Sequence, residues 1–456
     1  MPQFVDVPFA MQEGKSGPIQ NSNETLINMF CEAAVSGRSQ LVRRQRPCLQ
    51  AVYAQTGEKR CIEKHNGIHY AIIGDTLYKF DGSALTSMGT LATASGRCTM
   101  VFNDNDQIMV SDGTTLKYWN GTVLGNVTNA SGFLPGNLAY INGYAVVNSL
   151  NTDQFFISPA NDFSVINALD FATAESNPDP LMTVFTDHND LWLPGTVSTE
   201  VWVDTGGADF PFQLQVKIDR GTVAPLSFAS DDNTVMCLGN DLIVYRYEGF
   251  RPVPISTAPI NEAIRKVSAD GQLNAYAMIY TIGGHKFYTL TFPYELTIQY
   301  NLTTGLWNRA QTYGSSSWDV IGSNGHFSDY YLTAAGFCSL SFDINQDEGG
   351  TVVRTARAAP GWTASRRVTI FEVFADCEVG RAAIDVTPEV MLRVALDGET
   401  FGNSLVRGLG VTGKYKTRPT WRFIGQGRKP VLELSAAGDF NFAIMGVEIN
   451  ADAGNS

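Results

Sequence analysis

Charge is scarce in this sequence. Only 17% of its 456 residues are charged, against roughly a quarter in an ordinary globular domain. Hydrophobic residues make up 44%. Long disorder, which needs low hydrophobicity and high charge, is therefore excluded. Basic residues are the scarcer sign: 32 Lys and Arg face 45 Asp and Glu, a net charge of −13. A protein that grips nucleic acid by its phosphates needs a basic footprint, and this chain has none overall. No apolar run approaches the ~18 residues of a membrane helix. The opening Met1-Pro2-Gln3-Phe4-Val5-Asp6 lacks both regions of a secretory signal, so synthesis and use without export are expected.

Chemistry-bearing motifs are missing too. The seven cysteines are odd in number and widely spaced, with no C-x-x-C. They indicate reduced, mostly buried thiols, not a disulfide framework or zinc module. Among five histidines, His65 and His69 have i, i+4 spacing, but Asn66-Gly67 between them signals a turn. No G-x-S-x-G nucleophile elbow occurs. Gly283-Gly284 and Gly349-Gly350 lack the Lys-Ser/Thr of a phosphate loop. Asn103-Asp104-Asn105-Asp106 and Asp231-Asp232-Asn233 read as acidic turns, without the ligand order of a Ca²⁺ loop. No catalytic residue, metal or cofactor is predicted.

What the chain has is repetition. One unit reads His69-Tyr70-Ala71-Ile72-Ile73, a Gly-Asp turn, Thr76-Leu77-Tyr78-Lys79-Phe80, then Asp81-Gly82. Similar units occupy 107–121, 144–157, 190–204, 234–249, 286–301 and 329–343. Each is a strand, a turn and a second strand with alternating apolar residues, which is a hairpin pattern. The spacing of roughly 36 to 52 residues suits propeller blades. Blades packed radially bury the faces that a single blade leaves open. An all-β fold is predicted, with a β-propeller over 64–346, seven blades preferred and six possible. The competing reading is a run of hairpins in one large sandwich.

The flanks differ. Residues 1–63 carry few apolar residues and are expected to form an irregular N-terminal arm packed along another surface. A composition shift marks 347–365 as a linker, at Asp347-Glu348-Gly349-Gly350 and Ala358-Ala359-Pro360-Gly361. Alternating strands over 366–456 suit a C-terminal β-sandwich. Two basic clusters stand out on an acidic chain. Arg43, Arg44 and Arg46 lie in the arm; Lys414, Lys416 and Arg418 precede Pro419-Thr420-Trp421. They are candidate interface residues, with Trp421, because basic clusters can dock on acidic surfaces of copies or partners. The competing reading is a solvated charged face.

Several stretches resemble a known family. Asn28-Met29-Phe30-x-Glu32, followed by a basic stretch and Arg46-Pro47, is similar to the opening of packaged-DNA stabilisation proteins. These are tail-hub or head-completion proteins of short-tailed bacteriophages. Ile141-Asn142-Gly143-Tyr144-Ala145, Gln154-Phe155-Phe156-Ile157-Ser158 and Ala174-Glu175-Ser176-Asn177-Pro178-Asp179 resemble its middle block. So do Asp190-Leu191-Trp192-Leu193 and Thr199-Glu200-Val201-Trp202. The run from Arg422-Phe423-Ile424-Gly425 to Gly446-Val447-Glu448-Ile449 resembles its closing strands. The resemblance implies a non-enzymatic virion protein, assembled in the cytoplasm of a bacterial host. It implies a hexameric ring below the portal and its adaptor, which closes the DNA channel after packaging. Tail fibres or tailspikes and a needle or nozzle would attach to it, and DNA would pass its lumen without tight sequence-specific binding. The alternative functions are a carbohydrate-binding or carbohydrate-degrading propeller, with two carboxylates and stacked aromatics on its axis, and an interaction scaffold unrelated to phage.

Overall fold

In the computed structural model, seven four-stranded antiparallel blades follow one another along the chain, six as separate sheets and one, over 276–309, as part of a larger sheet. The structure describes residues 3–7, 9–15, 23–33, 41–174, 179–207, 209–231, 233–323, 329–359, 367–383, 385–397 and 400–454. Outside them lie Glu175 to Pro178 of the resemblance block, Asp232 of an acidic turn, His326, and residues 360–366 of the expected linker and sandwich start. Blades 1 to 6 span 59–90, 99–126, 135–173, 185–218, 229–254 and 276–309. Blade 7 takes three strands from 320–341 and its fourth, Cys48–Ala54, from the N-terminal segment. The ring is thus closed by a strand nearly three hundred residues upstream in sequence, paired from Ser341↔Cys48 to Gly336↔Ala54.

Every hairpin unit in the sequence forms the two middle strands of a blade. Ile68–Ile73 with Thr76–Phe80 is one example, and Gly336–Ser341 ends the series. Turn chemistry explains the recurring Asp-Gly and Asn-Gly. The Asp81 carboxylate accepts the backbone N–H groups of Ser83 and Ala84. Asp112 does the same for Thr114 and Thr115, and Asn120 for Thr122 and Val123. Such side chains satisfy the turn backbone locally. The first strands of the blades lie side by side, from Lys59–His65 through Thr99–Phe102 and Pro135–Ile141 to Phe185–Asp187. Ala229–Asp231, Tyr276–Ile282 and Val320–Ser323 form a second such run that returns to Lys59–His65, and Phe185 packs against Phe228 where the two runs meet. Between blades 5 and 6 sit two short helices, Ala258–Arg265 and Ala269–Leu273, which the strand periodicity did not announce. Ile260 and Ile264, one turn apart, are fully buried against blade 6.

The N-terminal segment does pack along other surfaces, but its described part is not irregular. Gln3–Val7 pairs with Ala443–Ala453, and Leu41–Gln45 pairs with the same strand. Asn23–Ile27 pairs with Val353–Ala358, inside the stretch expected as a linker. Three of these N-terminal strands thereby complete the two sheets of the sandwich. One sheet holds Val368–Cys377, Thr420–Gly427 and Ala443–Ala453; the other holds Val353–Ala358, Val431–Ala437, Glu389–Ala395 and Leu405–Gly408. Their buried faces form one core, including Leu26, Met29, Val373, Trp421 and Leu434. The segment needs few apolar residues because the partner strands already supply most of that core.

Asn23–Ile27 has a second neighbour. Its last residue, Ile27, pairs in parallel with Arg309 on the outer strand of blade 6. One ten-stranded sheet therefore runs from blade 6 into the sandwich. At Asn28 the backbone turns through φ +55° and the chain crosses to the other sheet. Asparagine tolerates this conformation better than most residues. Sandwich and propeller are fused by main-chain hydrogen bonds, not by a tether.

Candidate interface

The two basic clusters divide by burial. Arg46 is 1% exposed. Its guanidinium forms a two-point ion pair with Asp347, with one contact at 3.1 Å. Its Nε donates to Asn28 Oδ1 at 2.9 Å, and its other donors reach the carbonyls of Pro47 and Gln311. It stacks over Trp318, 4.8 Å from the ring centre. Burial disfavours its charge, yet the Asp347 carboxylate more than offsets this and holds the pKa above the ordinary arginine value. Arg43 is also buried, donating to the carbonyls of Ala10 and Leu41. Trp421 is fully buried in the sandwich core, its indole N–H on the Leu405 carbonyl. These three expected interface residues are structural: they present nothing to a partner. Strand parity decides the case of Arg43, because along Leu41–Gln45 Arg43 and Gln45 point inward while Arg44 points outward; Arg46 follows the strand and is drawn inward by Asp347.

The remaining four lie on the surface, and three of them converge. A groove of about 830 Å³ at the sandwich rim is lined by Arg44 from one cluster and by Lys416 and Arg418 from the other. Arg44 lies over Phe342 and meets Glu32 at 3.5 Å. Arg418 lies over Phe374. The segment around 411–417 is built to hold its lysines outward. Backbone N–H groups of Thr412 and Gly413 bond to Ala382 and Gly380, and Lys414 N–H closes on Val411. Gly380 (φ +73°) is required, since a Cβ there would sit 2.7 Å from the Tyr415 ring. Lys414, Tyr415, Lys416 and Arg418 are exposed in consequence.

Sequence reasoning missed two groove residues. Arg381, isolated in sequence, extends the basic lining and pairs with Glu378 at 3.0 Å. Tyr415, 66% exposed, was legible as the aromatic between two lysines. Asp376 and Glu378 are the groove's acids, leaving the four cations in excess.

The acidic charge lies elsewhere. Residues 98–216, which cover blades 2 and 3 and most of blade 4, contain thirteen Asp and Glu against one base, Lys117. That balance of −12 is nearly the whole chain's −13.

A cavity of about 140 Å³ among the inner strands is lined by Arg60, Glu63, Arg97 and Tyr276 with apolar neighbours. Glu63 is its one carboxylate, where glycoside hydrolysis calls for a pair. Among the described residues no group of three or more His, Cys, Asp and Glu is placed to hold a metal. Asn66 (φ +47°) and Gly67 (φ +78°) form the turn read between His65 and His69. All seven cysteines are unpaired, six of them buried.

Glu63 is half-buried and lines that cavity, and burial raises its carboxyl to about 8 from the ordinary 4.5. Between these values the folded protein keeps a proton that the unfolded chain has lost. Stability therefore falls as pH rises through this window. Glu63→Gln is expected to flatten that fall and to be more stable by ~2 kcal/mol at its upper end, roughly half of what such a shift gives at full burial, because the side chain is partly exposed. Urea unfolding at both ends of the window measures this; parallel pH slopes for the two proteins would refute it.

Residues 11–342 match a family described as bacteriophage P22 Gp10, beta-propeller, and residues 362–452 match the Gp10 beta-sandwich. The chain belongs to the Gp10 family. This is a podovirus tail-hub and DNA-stabilisation family, and the chain is a structural protein of the phage tail. The two Gp10 matches cover the propeller and the sandwich in turn. No curated protein matches. Among solved structures, the chain is similar to PorZ of the Porphyromonas gingivalis type-IX secretion system. The two are 11% identical with a TM-score of 0.37, over 71% of this chain and 44% of that one. It thus spans less than half of PorZ. BBS1N in complex with ARL6DN is 10% identical with a TM-score of 0.41, over 65% of this chain and 95% of that one. Kluyveromyces lactis Hsv2 is 11% identical with a TM-score of 0.36, over 63% and 97%.

Proposed function

We propose that this Gp10-family chain is a tail-hub subunit that assembles into a hexameric ring below the portal and its adaptor. The ring closes the DNA channel after packaging and carries the tail fibres or tailspikes and the needle or nozzle. DNA passes its lumen without tight sequence-specific binding, and assembly takes place in the host cytoplasm. The family match over both domains carries this reading. The continuous sheet from blade 6 into the sandwich supports it, because a hub must transmit load without bending between domains. A ring follows from a heterologous contact whose rotation closes. The test is negative-stain microscopy of particles lacking the protein, with and without the purified chain. Rings at the tail vertex with restored DNA retention are expected. Persistent monomers that never join the particle would overturn the reading.

A further inference from the structure

The charge of this chain is polarised across the fold. Its basic groove sits on the sandwich rim, with Arg44, Arg381, Lys416 and Arg418 outnumbering Asp376 and Glu378. Lys416 and Arg418 have no ion-pair partner among the described residues. The acidic sector sits in blades 2 to 4, where residues 98–216 hold thirteen acids and one base; Asp112 and Glu200 are buried, and Asp104, Asp106 and Asp209 are exposed. The sandwich is fused to the ring at blade 6, through Ile27↔Arg309, and at blade 7, through Arg46 and Asp347. In a ring of seven blades, the blade opposite the junction of 6 and 7 is blade 3. Groove and acidic sector therefore lie at opposite ends of the molecule.

Turn geometry adds detail. In a four-stranded meander, turns joining strands 1–2 and 3–4 emerge on the same face. Asp104 and Asp106 occupy such a turn in blade 2, Asp162 and Asp170 in blade 3, and Asp204 and Asp209 in blade 4. Contacts across blades confirm the shared face: Asn105 donates to the Asn161 carbonyl, and Asn142 to Asp204. Asp104 and Asp209 are exposed.

We propose that the basic groove of one copy receives the acidic face of blades 2 to 4 of a second copy, head to tail. This deepens the ring reading and rests on it. Opposite charges at opposite ends favour a heterologous contact and disfavour a symmetric one, where like would face like. Tyr415 at the groove's edge supplies an aromatic anchor of the kind enriched at interface centres.

The test uses two charge-reversed full-length proteins. One carries Lys416→Glu with Arg418→Glu; the other carries Asp104→Lys with Asp209→Lys. All four residues are exposed, so both variants should melt like the parent. Each alone is expected to lose particle incorporation by about tenfold or more, as like charges now face each other. Mixed in equal amounts, they should recover it, because every contact in an alternating ring then pairs opposite charges. Full incorporation of either variant alone, or no recovery on mixing, would overturn the groove assignment while leaving the ring intact. Failure of the unaltered chain to form rings would instead overturn the ring reading, and this proposal with it.

Discussion

Arg46→Ala is expected to destabilise the chain by about 3–5 kcal/mol, the cost of leaving a buried charge without its partner. The residue stands where three parts meet. Asp347 follows the last blade, Asn28 is the crossover between sandwich sheets, and Leu49 lies in the closing strand of blade 7. Asp347 itself is 8% exposed and also accepts the Leu49 backbone N–H at 2.9 Å. Without Arg46 its carboxylate stays buried against that one donor. Arg46→Lys should rescue little, since a single ammonium cannot serve Asp347, Asn28, Pro47 and Gln311 together. The double variant Arg46→Ala with Asp347→Ala should lose less than Arg46→Ala alone, because no orphaned charge remains. Urea unfolding of the three variants checks this. A loss below ~0.5 kcal/mol for Arg46→Ala, typical of an uninvolved surface site, would show that the junction is held by other contacts.

How far the sequence revealed this fold follows from burial. The middle strands of each blade were legible because both faces are covered, so they read as short aliphatic and aromatic runs between Gly turns. Thr234–Leu238 is one such strand, with four of its five residues buried. The inner and outer strands were not. Lys59–His65 reads as polar, yet Lys59 and Arg60 are buried, with Arg60 donating to the carbonyls of Gly74, Thr93 and Gly96. Phe212–Ile218 alternates toward solvent and shows almost no apolar run. The N-terminal strands were hidden for another reason: their partners are hundreds of residues away, and no local pattern records a long-range pairing. The same limit applied at the candidate interface. Composition located both basic clusters, but only the fold separates Arg44 from Arg43 and Arg46 and brings it beside Lys416 and Arg418.

Gly336→Ala should show how much of the propeller depends on its borrowed strand. Gly336 opens the third strand of blade 7 opposite Ala54, at φ +151°, a conformation that residues with a Cβ rarely adopt. An added Cβ would lie 2.1 Å from the Tyr53 carbonyl oxygen, 2.9 Å from Gln55 N and 3.0 Å from Ala54 Cα. All three are backbone atoms of the closing segment, so no side-chain rotation relieves the overlap. The strand must move, and the expected loss is about 3 kcal/mol. Gly284→Ala is the control. It shares a positive φ, +81°, but an added Cβ would meet nothing within 4 Å. It should cost only ~1 kcal/mol, from backbone strain alone. Hydrogen exchange then reports where the difference goes. In Gly336→Ala the amides of 48–54 and of their partners in 336–341 should exchange faster, while blades 2 to 4 keep their protection. Unchanged protection in the closing strand would mean that blade 7 is held by its packing against blades 1 and 6. Faster exchange throughout all seven blades would mean that closure at this one edge sets the stability of the whole ring, because a propeller opened at one blade exposes two unpaired edges at once.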